Sequence, residues 1–164
     1  MLTKTSLLGI RILLLLGQSP PRACLSPRQM AEALAESPTY LSKVCRMLVR
    51  SGILRAQKGI KGGVWLNRQP SEVTLLAVVE ACQGAIAGDY CNGTIDLADV
   101  CAFHKAALEL YKAVKSILER WTLADLLARP HPVGQATEAA ACVMLARRVS
   151  SPPPAPFATL TELG

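Results

Sequence analysis

The side chains best placed to do chemistry lie between Pro38 and Ser51. Thr39, Tyr40, Ser42, Lys43, Arg46 and Arg50 fall on one face at helical spacing. They offer hydroxyl donors and acceptors and positive charge, with no acid among them. That is the inventory that bonds base edges and neutralises phosphates. Arg28 just upstream, and Lys58 and Lys61 downstream, extend the same charge. Nothing comparable points to catalysis. The two histidines, His104 and His131, have no evident nucleophile or paired-carboxylate partner, and there is no phosphate-binding loop. The expectation is a binding protein rather than an enzyme.

Such a face needs elements to hold it. Leu41, Val44, Cys45 and Leu48 recur at i, i+3, i+4 and i+7, a buried stripe opposite the polar one. Gly52 follows where a left-handed residue is wanted to end the helix. Upstream, Ser26-Pro27-Arg28-Gln29 reads as an N-cap, a proline at the first helical position and a capping-box partner. A short helix runs from there to about Ala35, and Ser37-Pro38 opens the next after a tight turn, so the pair is a helix-turn-helix. Ile53 to Gln57 reads as a strand, Lys58-Gly59-Ile60-Lys61-Gly62-Gly63 as a basic loop, and Val64-Trp65-Leu66 as the returning strand. The whole is a mainly α fold, a winged helix-turn-helix with a small two-stranded β-wing. Its polar helix suits a major groove, and its wing the DNA backbone.

Charge follows the same division. Residues 1–68 carry eleven Lys and Arg against two acids, Glu32 and Glu36, whereas residues 69–164 carry seven against ten. Concentrated positive charge is what counterion release from duplex DNA rewards. The apolar run Leu7–Leu16 is too short to span a bilayer, has Arg11 in its middle and is followed by the poor cleavage sequence Pro20-Pro21-Arg22-Ala23-Cys24. It is expected to be the first, buried helix, over Thr3 to Gly17, of a cytoplasmic protein with no membrane partner. The six cysteines are then mostly reduced thiols. Cys45 reads as a small core hydrophobe.

Beyond the wing, Ser71 is expected to cap a helix that fades at Gln83-Gly84. A long helix starts near Leu97 to Val100 and runs to about Arg120. Along it Phe103, Ala107, Leu110, Val114, Ile117 and Trp121 alternate four and three apart, a heptad seam that wants a partner helix. A symmetric dimer supplies one, together with a second recognition helix for a palindromic site. Thr122 opens a closing helix, and 137–148 reads as one more. The expected divisions are a DNA-binding domain over 1–84, a cysteine-bearing loop over 85–100, dimerisation and closing helices over 101–149, and a disordered Pro-rich tail over 150–164.

Taken together, Pro38-Thr39-Tyr40-Leu41, the Lys58–Gly63 loop, Trp121-Thr122-Leu123-Ala124-Asp125-Leu126 and the cysteine-bearing loop resemble the Rrf-type winged-helix regulators, the family of IscR, NsrR, RirA and CymR. The resemblance covers Leu2 to about Ala128. It implies a homodimeric transcription factor, expected to be a repressor, on a near-palindromic double-stranded DNA operator. By matching positions, Thr39, Ser42 and Lys43 would read bases, Lys58 would reach the minor groove or backbone, and Tyr40 and Arg46 would contact phosphates.

The resemblance also implies a cofactor. Cluster-binding members carry three cysteines in this loop, and IscR-like members add a histidine three residues after the last. Here Cys91 matches the first cysteine and Cys101-x-x-His104 the last with its histidine. Thr94, Ile95, Asp96 and Leu97 stand where the middle one would fall. A 2Fe–2S iron–sulfur cluster on Cys91, Cys101 and His104 is the favoured reading, its fourth ligand coming from Asp96, Cys82 or the partner subunit. Zinc on the same groups, a metal-free thiol switch, or Cys101 and His104 as plain helix residues are the alternatives. Control by a metabolite or a protein partner would dispense with a cofactor altogether.

Overall fold

Residues 2–20, 23–59, 62–86 and 101–130 are described by the computed structural model. The first helix, α1 (Lys4–Gly17), is apolar on nearly every side. Leu8, Ile10, Ile12, Leu13, Leu14 and Leu16 are all buried. A helix with no polar face has to be surrounded. This one is, by α2 (Pro27–Leu34), α3 (Pro38–Arg50), α4 (Leu75–Gln83) and α6 (Leu123–Ala128). Each fully buried Leu or Ile contributes about 1.5–3 kcal/mol over leaving it in water. Gly9 lets α4 approach closely, since a Cβ there would meet Cys82 Sγ at 2.7 Å.

Arg11 is the exception in this apolar helix. Its guanidinium donates to Glu36 Oε1 at 3.0 Å and to the Leu34 carbonyl at 2.8 Å. A cation thus meets the carbonyl end of α2, where the helix dipole favours it. The capping box expected at Ser26 forms, with the Gln29 side chain accepting from the Ser26 N–H at 2.9 Å and the Gln29 N–H donating to Ser26 Oγ. The turn into α3 is made by Ala35, which takes left-handed φ 52° while the Glu36 N–H reaches back to the Ala31 carbonyl at 2.9 Å. Gly52, at φ +71°, follows α3 as expected.

The wing is one antiparallel pair, β1 (Leu54–Gln57) and β2 (Gly63–Leu66), with Leu54 opposite Leu66 and Gln57 opposite Gly63. Ile53 is not in the ladder as expected, because its N–H closes the end of α3 on the Leu48 carbonyl. Leu25 extends the sheet by a bridge to Val64.

Two expectations beyond the wing are corrected or refined. Ser71 does not cap α4. It lies in a 3-10 turn, Pro70–Glu72, closed by Gln69 and Glu72, and the cap is Thr74, whose side chain accepts from the Ala77 N–H at 3.1 Å. Tertiary pairing decides this, because the chain must stay extended at Val73. The Leu75 N–H donates to the Trp121 carbonyl and the Leu123 N–H to the Val73 carbonyl, both at 2.8 Å. The long helix α5 is Ala102–Arg120, and its expected start at residues 97–100 lies outside the described residues, as do the helix expected over 137–148 and the tail. The closing helix α6 follows Thr122, whose capping box with Asp125 holds that carboxyl below its usual range through hydrogen bonds from the side chain and backbone of Thr122. Leu123 reaches the main core and Leu127 packs on Gly17. No helix among the described residues is long and apolar enough to cross a membrane.

Ala35 carries a Cβ in a backbone region that glycine occupies without cost. Ala35→Gly is expected to raise unfolding stability by about 0.5–1 kcal/mol, and Ala35→Val to lower it by 1 kcal/mol or more, roughly. Urea denaturation midpoints check both.

Candidate nucleic-acid interface

The helix expected to enter a groove is α3, and its two faces separate as its spacing requires. Leu41, Val44, Cys45 and Leu48 are buried against α1 and α4. Thr39, Lys43, Arg46 and Arg50 are exposed, and Ser42 is half-buried. Arg46 Nε donates along the helix to the Ser42 carbonyl at 3.4 Å, which leans the guanidinium back over the helix face. Arg28 is exposed on α2 and Lys58 is exposed after β1, while Lys61 lies outside the described residues. These groups therefore share one reading unit of helix, turn and wing. Arg55, exposed on β1 opposite Trp65, adds a cation that the sequence reading passed over. Its signal was the inward Leu54 beside it.

Tyr40 is placed differently from its neighbours. It is half-buried against the core, and its hydroxyl lies 3.0 Å from Thr5 Oγ1 of α1. Sequence reading missed Thr5 altogether. No local pattern joins residues so far apart in the chain.

The groups expected to hold a cofactor lie at the start of α5. Cys101 is exposed at the N-cap and makes no side-chain cap bond, His104 is buried within the first turn, and Cys91 is outside the described residues. Cys82, the reserve ligand expected from sequence, faces elsewhere. It is 4% exposed at the α1–α4 crossing against Gly9, and burial pushes its thiol up to about 11. A ligand must be a thiolate, which that apolar setting disfavours. Cys45, the expected core hydrophobe, is likewise pushed up to about 11 by burial. Among the described residues, no group of three or more His, Cys, Asp or Glu side chains is gathered as for a metal ion.

The α5 seam divides into two stripes. Phe103, Leu110, Ile117 and Trp121 face outward, at 69%, 66%, 52% and 43% exposure. Val114 instead packs with Leu76, Val79 and Leu118 in a small second core, because α5 also lies along α4. Ala107 is half-buried.

A family model described as "Rrf2: Iron-dependent Transcriptional regulator" matches residues 2–129. Protein aau3 of Rhizobium meliloti is 32% identical over 134 residues, covering 79% of this chain and 86% of its own. The HTH-type transcriptional regulator NsrR of Geobacillus kaustophilus is 29% identical over 130 residues, 77% of this chain and 88% of that one. Among solved structures, CymR, the global cysteine regulator of B. subtilis, shares the fold with a TM-score of 0.64 at 22% identity, over 78% of this chain and 96% of that one.

Two measurements follow from this geometry. Arg46→Ala is expected to weaken duplex binding evenly across sequences and to lower the slope of log affinity against log salt by about one, whereas Lys43→Ala should cost about 1–3 kcal/mol and relax sequence preference. Fluorescence anisotropy at several salt concentrations separates the two. For the thiols, iodoacetamide at pH 8 should label Cys24 and Cys101 and spare Cys45 and Cys82 until the protein is denatured. Because folding favours protonated Cys45 and Cys82, their contribution to stability is full below the ordinary value of 9.0 and lost as pH rises through about 11. The urea midpoint should fall across that window.

Proposed function

The chain belongs to the Rrf2 family of DNA-binding transcriptional regulators, and we propose that it acts as a homodimeric repressor on a near-palindromic operator, its affinity set by an iron–sulfur cluster at Cys91, Cys101 and His104. The observation that carries the dimer is the outward stripe of α5. Three large apolar side chains spaced seven apart, Phe103, Leu110 and Ile117, are more than half exposed on one helix. A stripe of that kind is stable in water when another helix covers it. A two-fold arrangement along it also doubles the recognition helices.

The cluster reading is supported by the chemistry of its donors. An exposed thiol at Cys101 and an imidazole one turn later at His104 are soft and borderline ligands at one end of α5. A 2Fe–2S cluster, when bound, would supply one-electron redox chemistry and reactivity toward oxygen or nitric oxide, or a readout of iron supply. The chain's part is to anchor that end of α5 through Cys101 and His104 while Trp121 and Leu123 tie the other end to α4 and the turn before it. A change at one end is then passed along a helix of about 28 Å to the reading unit. The exposure of Cys101 also suits a second reading, a cluster-free thiol switch.

Anaerobic purification with absorbance from 300 to 700 nm and iron, sulfide and zinc assays tests the cofactor. Visible bands with equal iron and sulfide, lost in Cys91→Ala and Cys101→Ala, are expected. A colourless protein overturns the cluster: bound zinc would give the site a structural or zinc-sensing role, and no metal would leave the thiol switch or a partner. Leu110→Glu/Ile117→Glu is expected to sediment as a monomer and to bind operator roughly a hundredfold or more weakly. Unchanged sedimentation would sink the dimer reading.

A further inference from the structure

The first turn of α1 makes two long-range polar connections. On one side, Gln83 Oε1, in the last turn of α4, accepts from the Thr3 N–H at 3.1 Å and from Ser6 Oγ. Ser6 is fully buried, and Thr3 and Ser6 cap one another. Thr3 and Gln83 are exposed, so removing the Gln83 acceptor is felt at the buried Ser6 hydroxyl, which would keep Thr3 as its partner and lose its link to α4. On the other side, Thr5 Oγ1 in the same turn meets the Tyr40 hydroxyl at 3.0 Å. Tyr40 lies in the first turn of α3, between Thr39 and the Ser42-Lys43 pair of the reading face. Gly84, at φ +85°, ends α4 directly after Gln83, so residues 85–100 join the helix at the acceptor itself.

We propose that Gln83 is a positioning residue for the recognition helix, acting through the first turn of α1 and the Thr5–Tyr40 hydrogen bond. The end of α4, where the cysteine-bearing segment begins, and the start of α3 are thereby coupled within one protomer, by a route separate from α5. A shift of the α1 turn by less than an ångström stretches a hydrogen bond such as Thr5–Tyr40 beyond its useful length and frees the first turn of α3. Tyr40 then serves the interior rather than a phosphate. The proposal rests on the DNA-binding reading above and on no cofactor.

A double-mutant cycle tests it, using the full chain and a duplex that the wild-type chain selects from random sequence. Gln83→Leu and Tyr40→Phe are each expected to weaken binding about three- to tenfold, and the double variant to be no weaker than the worse single. Gln83→Glu, which keeps an acceptor, should stay within about twofold of wild type on the same scale. Should Gln83→Leu fail to fold, Thr5→Val takes its place in the cycle. Single effects that multiply would overturn the relay and return Tyr40 to the phosphates. If the wild-type chain selects no duplex at all, the DNA-binding reading fails first and takes the relay with it.

Discussion

The constraint on which the rest depends is that α1 must be covered on nearly every side. Most of its leucines and isoleucines are buried and only a narrow stripe through Lys4, Leu7, Arg11 and Leu15 meets solvent, so α2, α3, α4 and α6 gather around it. That single requirement sets the back of the recognition helix, since Leu41, Val44 and Leu48 are buried in the core that α1 nucleates, and what remains of α3 is the polar, cationic face. It also explains Arg11. A lone guanidinium within an apolar helix is costly to bury unless it is paired and hydrogen-bonded. Here Glu36 and the Leu34 carbonyl partner it, and the pairing fixes the turn between the two helices of the reading unit.

Much of this was legible in the sequence because its signals are local. The Ser26 capping box, the glycine after α3 and the basic loop between two short strands are all set within a few residues. The errors arise where tertiary contacts choose between local options. Ser71 and Thr74 are both competent caps, and only the pairing of Val73 and Leu75 with Leu123 and Trp121 selects Thr74. The heptad seam was read as one surface, yet a helix packed on a neighbour has two flanks, and Val114 belongs to the inner one. Cys82 was read by its nearness to the cysteine-bearing loop in sequence, but its position on α4 turns it toward Gly9.

The candidate site was less legible than the fold, for a related reason. Side-chain type gives a donor set, as with Cys101 and His104, but not which atoms converge. The exposed face of α3 could be read from periodicity because a helix is regular. The Thr5–Tyr40 contact could not, since it depends on how α1 and α3 cross.

The closing helix has a consequence for how the molecule comes into being. Leu123 and Leu127 fill the core from beyond α5, so the reading unit is sealed by residues made after the long helix. During synthesis, at about 5–20 residues per second, the chain passes through all of α5 before Leu123 can take its place in that core. A nascent or truncated chain that lacks the long helix also lacks the plug of its own DNA reader. Fragments that end before the long helix thus leave the core open where Leu123 would sit.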